Sequence, residues 1–200
     1  MPRRPRVWFP GAMYHITARG NRRSKIFYDD KDRLMYLELL EDARSYFPFY
    51  LHSYCLMPNH IHLQLETINH HPKEIMKKLH TRYAIYFNHR YHLVGHVFQG
   101  RYGAKLIVTP DYFLDVSRYI HLNPLEAKMV TAPENYKWSS YSAYITKQTN
   151  PHITTEKILS YFPHPQKEHY RKFVEQTDME RFNILNKQGT DPHFIKALKQ

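Results

Sequence analysis

The chain has a single cysteine in 200 residues, Cys55, so no disulfide can form within it and oxidative stapling plays no part in its fold. Nor is there an apolar run approaching the roughly 18 residues that a membrane span needs. The opening stretch MPRRPRVWFPGAM lacks the apolar core of a secretory signal. These absences predict a protein of the reducing cytoplasm with no membrane partner. Internal repeats and low-complexity tracts are missing too. The most informative deficit is of acid: between Met1 and Lys25 there is no Asp or Glu, against Arg3, Arg4, Arg6, Arg19, Arg22, Arg23 and Lys25.

That local imbalance belongs to a global one. Lys and Arg outnumber Asp and Glu by 29 to 18, a net charge of +11 with a pI near 9.6. Such a surface attracts polyanions, and nucleic acid is the favoured partner over an anionic membrane. Each cation of the N-terminal arm could neutralise a phosphate and release counterions. Charge alone does not separate a binding arm from a solvated tail. Hydrophobic residues at 42% and aromatics at 15% predict a packed globule, and 200 residues suffice for one main domain with a small appendage.

The patterning supplies an order of elements. MYHITAR, bounded by Gly11 and Gly20, alternates as a strand does over about 13–19. Asp29 or Asp30 can cap a helix running to about Tyr46, with Tyr36, Leu39, Leu40, Ala43 and Phe47 at helical spacing and Pro48 as its stop. FYLHSYCLM and HIHLQLE read as two strands joined through Pro58-Asn59 as a hairpin. From Pro72 to about Tyr91 the period is helical again, with Ile75, Leu79, Tyr83 and Tyr86 on one side. GHVFQGRYGAKLIV predicts a fourth strand with a bend or hairpin at Gly100 and Gly103. Thr109 as cap, Pro110 at the first helical position and Asp111 in the first turn begin a further helix. Pro124 disfavours helical geometry at Asn123, so that helix should stop near residue 122.

Strand, helix, strand, strand, helix, strand is the ferredoxin-like split β-α-β order. The fold class expected is therefore α+β, an antiparallel sheet with helices and an extra helix after it. After Tyr144 a polar linker, TKQTNPHITTEK, leads into a segment broken by Pro163 and Pro165. The division expected is a main domain over 1–148 and a small helical appendage over 149–200.

Chemistry concentrates in LMPNHIHLQLE. On a strand, His60, His62, Gln64 and Glu66 share one face while Ile61, Leu63 and Leu65 bury the other. Two imidazoles at i and i+2 can hold one divalent ion. In a chain of 15 histidines the pair by itself is a weak signal, and a further ligand is needed. RYIHLNP offers one, because Tyr119 and Asn123 stand four apart on one helix face. A metal ion could polarise a phosphoryl oxygen, Tyr119 could attack the phosphodiester, and the Asn123 amide oxygen could complete the ligand set. A free phenol with pKa near 10 is only about a thousandth ionised at neutral pH, so nearby positive charge would have to assist it. Two other readings fit the same residues. One is a non-catalytic ferredoxin-like nucleic-acid-binding module in which the histidines stack or touch phosphate. The other is a structural zinc site of His60, His62 and Cys55, although the paired Cys/His spacing of such sites is missing.

MPNHIHLQLE resembles the His-hydrophobic-His motif of the single-tyrosine HUH endonucleases, and RYIHLNPLEAKMV resembles their nucleophile helix. The combination is most similar to REP-associated tyrosine transposases, relatives of the insertion-sequence transposases that act on single strands. YHITARGNRR, GHVFQGRYGAKLI and WSSYSAY also look like blocks of that group, so the resemblance covers roughly residues 8 to 145. It implies a ferredoxin-like catalytic domain that cuts single-stranded DNA near a hairpin, using Tyr119 to form a 5′-phosphotyrosine link and leaving a free 3′-hydroxyl. It also implies His60, His62 and Asn123 as ligands of Mg²⁺ or Mn²⁺, with Asn123 where other branches carry glutamine. Hairpin-forming repeats in single-stranded DNA are the partner implied. A homodimer is possible, since relatives differ in whether the nucleophile helix serves its own subunit. Arg3, Arg4, Arg6, Arg22, Arg23 and Lys25 are candidates for contacts to the DNA backbone, and Arg101, Tyr102 and Lys105 could flank the cleft.

Overall fold

The computed structural model describes residues 7–176. Its centre is one antiparallel four-stranded sheet, β1 (Met13–Arg19), β2 (Phe49–Met57), β3 (His60–Thr67) and β4 (Gly103–Ile107), in the order β2-β3-β1-β4. Helix α1 (Asp30–Tyr46) connects β1 to β2, and α2 (Pro72–Tyr91) connects β3 to β4. This is the expected ferredoxin-like arrangement. Asp29 is the residue that caps α1, its carboxylate accepting from the Asp32 amide at 3.1 Å. β2 and β3 form the hairpin, with Met57 paired to His60 across the Pro58-Asn59 turn.

The two faces of the sheet are covered differently. One face presents Tyr14, Ile16 and Ala18 of β1 and Ile61, Leu63 and Leu65 of β3 to Tyr36, Leu40, Ile75, Leu79 and Tyr83 of α1 and α2, all buried in one core. Across the other face lies α3 (Pro110–Glu126), which packs Tyr112, Phe113, Val116 and Ile120 beside Cys55 and Met57 in a second core. Thr109 caps this helix, accepting from the Tyr112 amide at 3.2 Å, and Pro110 occupies its first turn as expected. Short helices α4 (Tyr141–Ile145) and α5 (Glu156–Leu159) and the longer α6 (Gln166–Glu175) complete that core through Tyr144, Ile158, Tyr170 and Val174. No helix of the described residues is long and apolar enough to cross a membrane.

Two expectations need correction. The helix expected to stop near residue 122 runs on to Glu126 with Pro124 inside it. Pro124 has no N–H to offer the Ile120 carbonyl, but Asn123 and Pro124 are both buried, and Ala127 donates to the Asn123 carbonyl at 3.0 Å. Packing therefore holds the helical geometry that the local preference opposes. The fourth strand is also shorter than GHVFQGRYGAKLIV suggested. It starts at Gly103, and the stretch before it is a loop joined to the end of β1 by the bridge between Gly20 and Phe98.

Gly20 ends β1 where the chain turns sharply into Asn21–Arg23. A Cβ at this position would lie 2.0 Å from the Ser24 carbonyl oxygen, which is backbone and cannot swing aside. Gly20→Ala should therefore destabilise the fold by about 1–3 kcal/mol, as overpacking does. In thermal unfolding that is a fall of roughly 2–10 °C, and an unchanged Tm would contradict the steric argument.

Candidate functional site

The His60 end of β3 is built from the turn that precedes it. Asn59 donates through its side-chain amide to the Arg23 carbonyl at 3.2 Å, which fixes the amide with its oxygen turned to His60. That oxygen lies 2.7 Å from His60 Nδ1, and an amide oxygen only accepts. The ring proton of neutral His60 therefore sits on Nδ1, leaving the lone pair on Nε2. Burial, and more weakly the charge of Arg19, hold the His60 pKa below that of a free imidazole, against the raising effect of Asn123.

What Nε2 faces is another acceptor. Asn123 Oδ1, at the C-terminal end of α3, lies 3.4 Å away. Two lone pairs directed at each other are unfavourable unless something positive lies between them. Neighbouring ligands of an octahedral ion with bonds of about 2.1 Å are about 3 Å apart, so the spacing suits two donors to one divalent cation. Among the described residues, no three His, Cys, Asp or Glu side chains form a metal cluster. The donor set that fits is two imidazoles and an amide. Cys55, fully buried under α3, joins no such cluster, and the zinc reading is set aside.

His62 is buried, with 6% of its surface exposed, because α3 covers this face of the sheet. Its ring centroid lies 5.0 Å from that of His60 and 5.3 Å from that of Tyr119, both edge-on. Tyr119 therefore reaches the histidine pair of its own chain. His15 of β1 is the member of the cluster that the sequence reading missed. His15 Nε2 is 2.9 Å from His62 Nδ1, and the His15 ring lies 5.6 Å from that of Tyr119. Burial first, and Lys105 second, lower the His15 pKa to about 4. Burial likewise holds His62 well below the usual imidazole range, helped by the nearby His15, His60 and Arg19. Two neutral rings in contact share one hydrogen, so one donates and the other accepts.

Polar groups beneath α3 hold it in register. Gln64, fully buried, donates to the Phe113 carbonyl at 2.7 Å and accepts from Ser53 at 2.8 Å. Further along, His121 contacts the Tyr170 hydroxyl at 2.8 Å and Ser140 Oγ at 2.9 Å, and Ser140 Oγ accepts from the Tyr54 amide. Arg118 donates to the Val174 carbonyl at 3.1 Å. The stretch of α3 that bears Tyr119 is thus tied to β2, β3 and α6.

The remaining candidates scatter. Arg22, Arg23 and Lys25 are exposed on the turn after β1, beside Asn59. Lys105 is half-buried on β4 opposite His15. Arg101 and Tyr102 belong instead to the loop before β4, facing α2, with Tyr102 buried in the first core. Arg3, Arg4 and Arg6 lie outside the described residues. Arg19, paired with His60 across the β1–β3 ladder and exposed, is a cation at the site that spacing did not single out.

A family model described as transposase IS200-like matches residues 9–123. No curated protein matches the chain. Among solved structures, one of a REP-associated tyrosine transposase bound to a REP hairpin is 18% identical, with a TM-score of 0.59, covering 79% of this chain and 93% of that one. A transposase-like protein from Deinococcus radiodurans R1 is 20% identical with a TM-score of 0.42, covering 60% of this chain and 95% of that one.

The buried histidines carry an expected pH signature. His15 titrates near 4 in the fold against about 6.5 when unfolded, so the unfolded chain binds the extra proton between those values. Its contribution is complete above about pH 6.5 and declines as pH falls towards 4, amounting to about 3 kcal/mol. Urea unfolding of wild type and His15→Gln at pH 7.5 and 4.5 measures this. The stability lost on acidification should be smaller in the variant, and equal losses would contradict the assignment.

Proposed function

The chain belongs to the IS200-like transposase family, and from that premise we propose that it cuts and rejoins single-stranded DNA beside a hairpin through Tyr119. The observation that carries this reading is the approach of Tyr119 to His62 and of Asn123 to His60 across two separate elements of one chain. The Tyr119 hydroxyl attacks the scissile phosphorus. The bond from phosphorus to the phenolic oxygen forms, the bond to the 3′ oxygen breaks, and the proton lost by the phenol is balanced by one gained on the released 3′-hydroxyl. The reverse attack by a 3′-hydroxyl rejoins the strand.

Mg²⁺ or Mn²⁺ would be held by His60, His62 and Asn123, and when bound would supply the positive charge that polarises a phosphoryl oxygen and orients the phosphate. The chain's own contribution is to present lone pairs. His15, in contact with His62 Nδ1, would in this sense be a positioning residue. Arg19, Arg22, Arg23 and Lys25 would meet phosphates on either side of the cut, as would the arm bearing Arg3, Arg4 and Arg6. Residues 1–148 would form the catalytic unit and 149–200 an appendage whose α6 braces the nucleophile helix. Since both halves of the site come from one chain, a monomer would suffice.

A labelled DNA hairpin with single-stranded flanks, incubated with the protein and Mn²⁺, should yield a covalent adduct on a denaturing gel. Tyr119→Phe should abolish it, and chelation by EDTA should suppress it in the wild type. No adduct with any divalent ion, alongside salt-sensitive DNA binding, would favour the binding-module reading instead.

The positioning role of His15 has its own readout. His15→Phe should weaken Mn²⁺ binding, followed through the electron spin resonance of the free ion, by roughly 10- to 100-fold. His15→Gln, which can still accept at its amide oxygen, should recover much of the loss. Equal affinity in all three proteins would remove His15 from the site.

A further inference from the structure

On the face of the sheet away from α3, a groove of about 530 Å³ runs between α2 and the loop 95–102. Its α2 wall presents Lys73, Lys77, Thr81, Ile85 and Asn88, a single helical face at steps of three and four. Its floor is aromatic: His80 stacks on Phe98 with centroids 4.1 Å apart, and Tyr102 lies beside them. Burial keeps His80 uncharged, with its pKa lowered to about 3. The far wall contributes Arg101 and His96.

Charge divides α2 sharply. Lys78 and Arg82, on the side turned to α1, are both paired with Asp42, whose one negative charge offsets part of theirs. Lys73, Lys77 and Arg101 make no salt bridge among the described residues, and no carboxylate lines the groove. Cations lacking acidic partners around an aromatic floor are the ingredients of a single-strand track, where phosphates meet the charges and bases stack on the rings. A groove of this volume has room for a nucleotide or two.

The groove also connects to the candidate site. Asn21 donates to the Val97 carbonyl at 2.8 Å and Gln99 donates to the Arg19 carbonyl at 2.8 Å. The loop that forms the outer wall is therefore pinned to the end of β1 whose Arg19 pairs with His60. Arg19, Arg22 and Arg23 are exposed at this same end of β1 and on the turn that follows it.

We propose that this groove holds the unpaired DNA next to the hairpin, one base on the His80–Phe98–Tyr102 floor and its phosphates at Lys73, Lys77 and Arg101. The proposal rests on the DNA-processing reading above, and its test does not depend on cleavage. In Tyr119→Phe, a hairpin carrying 5-iododeoxyuridine at successive positions of its single-stranded flanks is photocrosslinked and the adducts are mapped by mass spectrometry. One or two adjacent flank positions should crosslink to residues 96–102 or to α2. Crosslinks from the duplex alone, or none within residues 73–102, would overturn the proposal.

A second measurement uses substitutions at exposed positions. Lys73→Gln, Lys77→Gln and Arg101→Gln combined should weaken binding of the flanked hairpin by more than tenfold. They should also reduce the slope of log affinity against log salt by about 2, at about 0.7 per phosphate contact on a single strand. Affinity for the same hairpin without flanks should not change. An equal loss on both substrates, or on neither, would sink the groove. Failure of wild type to form a covalent adduct would count against the tyrosine reading while leaving these two results standing.

Discussion

The hydrogen bond from the buried Gln64 amide to the Phe113 carbonyl sets where α3 lies on the sheet. It lies at the start of the helix, less than two turns before Tyr119, so any slip along the sheet would carry the phenol away from His62. Leaving that amide without a partner would cost about 1–3 kcal/mol, because no water reaches it. Apolar packing of Val116 and Ile120 drives the helix onto the sheet but would tolerate several registers. The polar contact is what selects one.

His121 performs the same service one turn before the helix ends. It joins α3 to α6 through Tyr170 and to β2 through Ser140, so three elements must be in place for its ring to be satisfied. Tyr119, half-buried, lies between these two fixed points and the buried Asn123 follows one turn later, both turned to the histidines of the sheet. The ligand and nucleophile candidates thus sit on regular elements held from below. The cations Arg22, Arg23 and Lys25 sit on a turn, as suits contacts to a flexible polymer.

Much of this was readable in the chain because local chemistry decides it. Alternation in HIHLQLE placed His60 and His62 on one side of a strand, and the Thr109-Pro110-Asp111 start placed Tyr119 and Asn123 on one side of a helix. Membership of the transposase family was legible in the same blocks. Pairing between distant segments was not. Nothing in YHITARG reveals that His15 will lie against His62, since that follows from the β1–β3 register and not from either strand alone. Arg101 and Tyr102 were read from glycine punctuation as part of a strand, whereas tertiary contacts with α2 decide their surroundings. Pro124 misled for a related reason, its local preference being outweighed by burial of the helix end.

If the proposed site acts within one chain, the closeness of Tyr119 to the histidines of that chain would have a consequence for behaviour at low copy number. A site assembled from two subunits dissolves on dilution, and its output scales with the square of concentration once the dimer constant is passed. One folded together with its backbone persists at a few molecules per cell, its output rising only in proportion to abundance. Under the proposed function, expression level would govern such a protein linearly, without a threshold below which it falls silent.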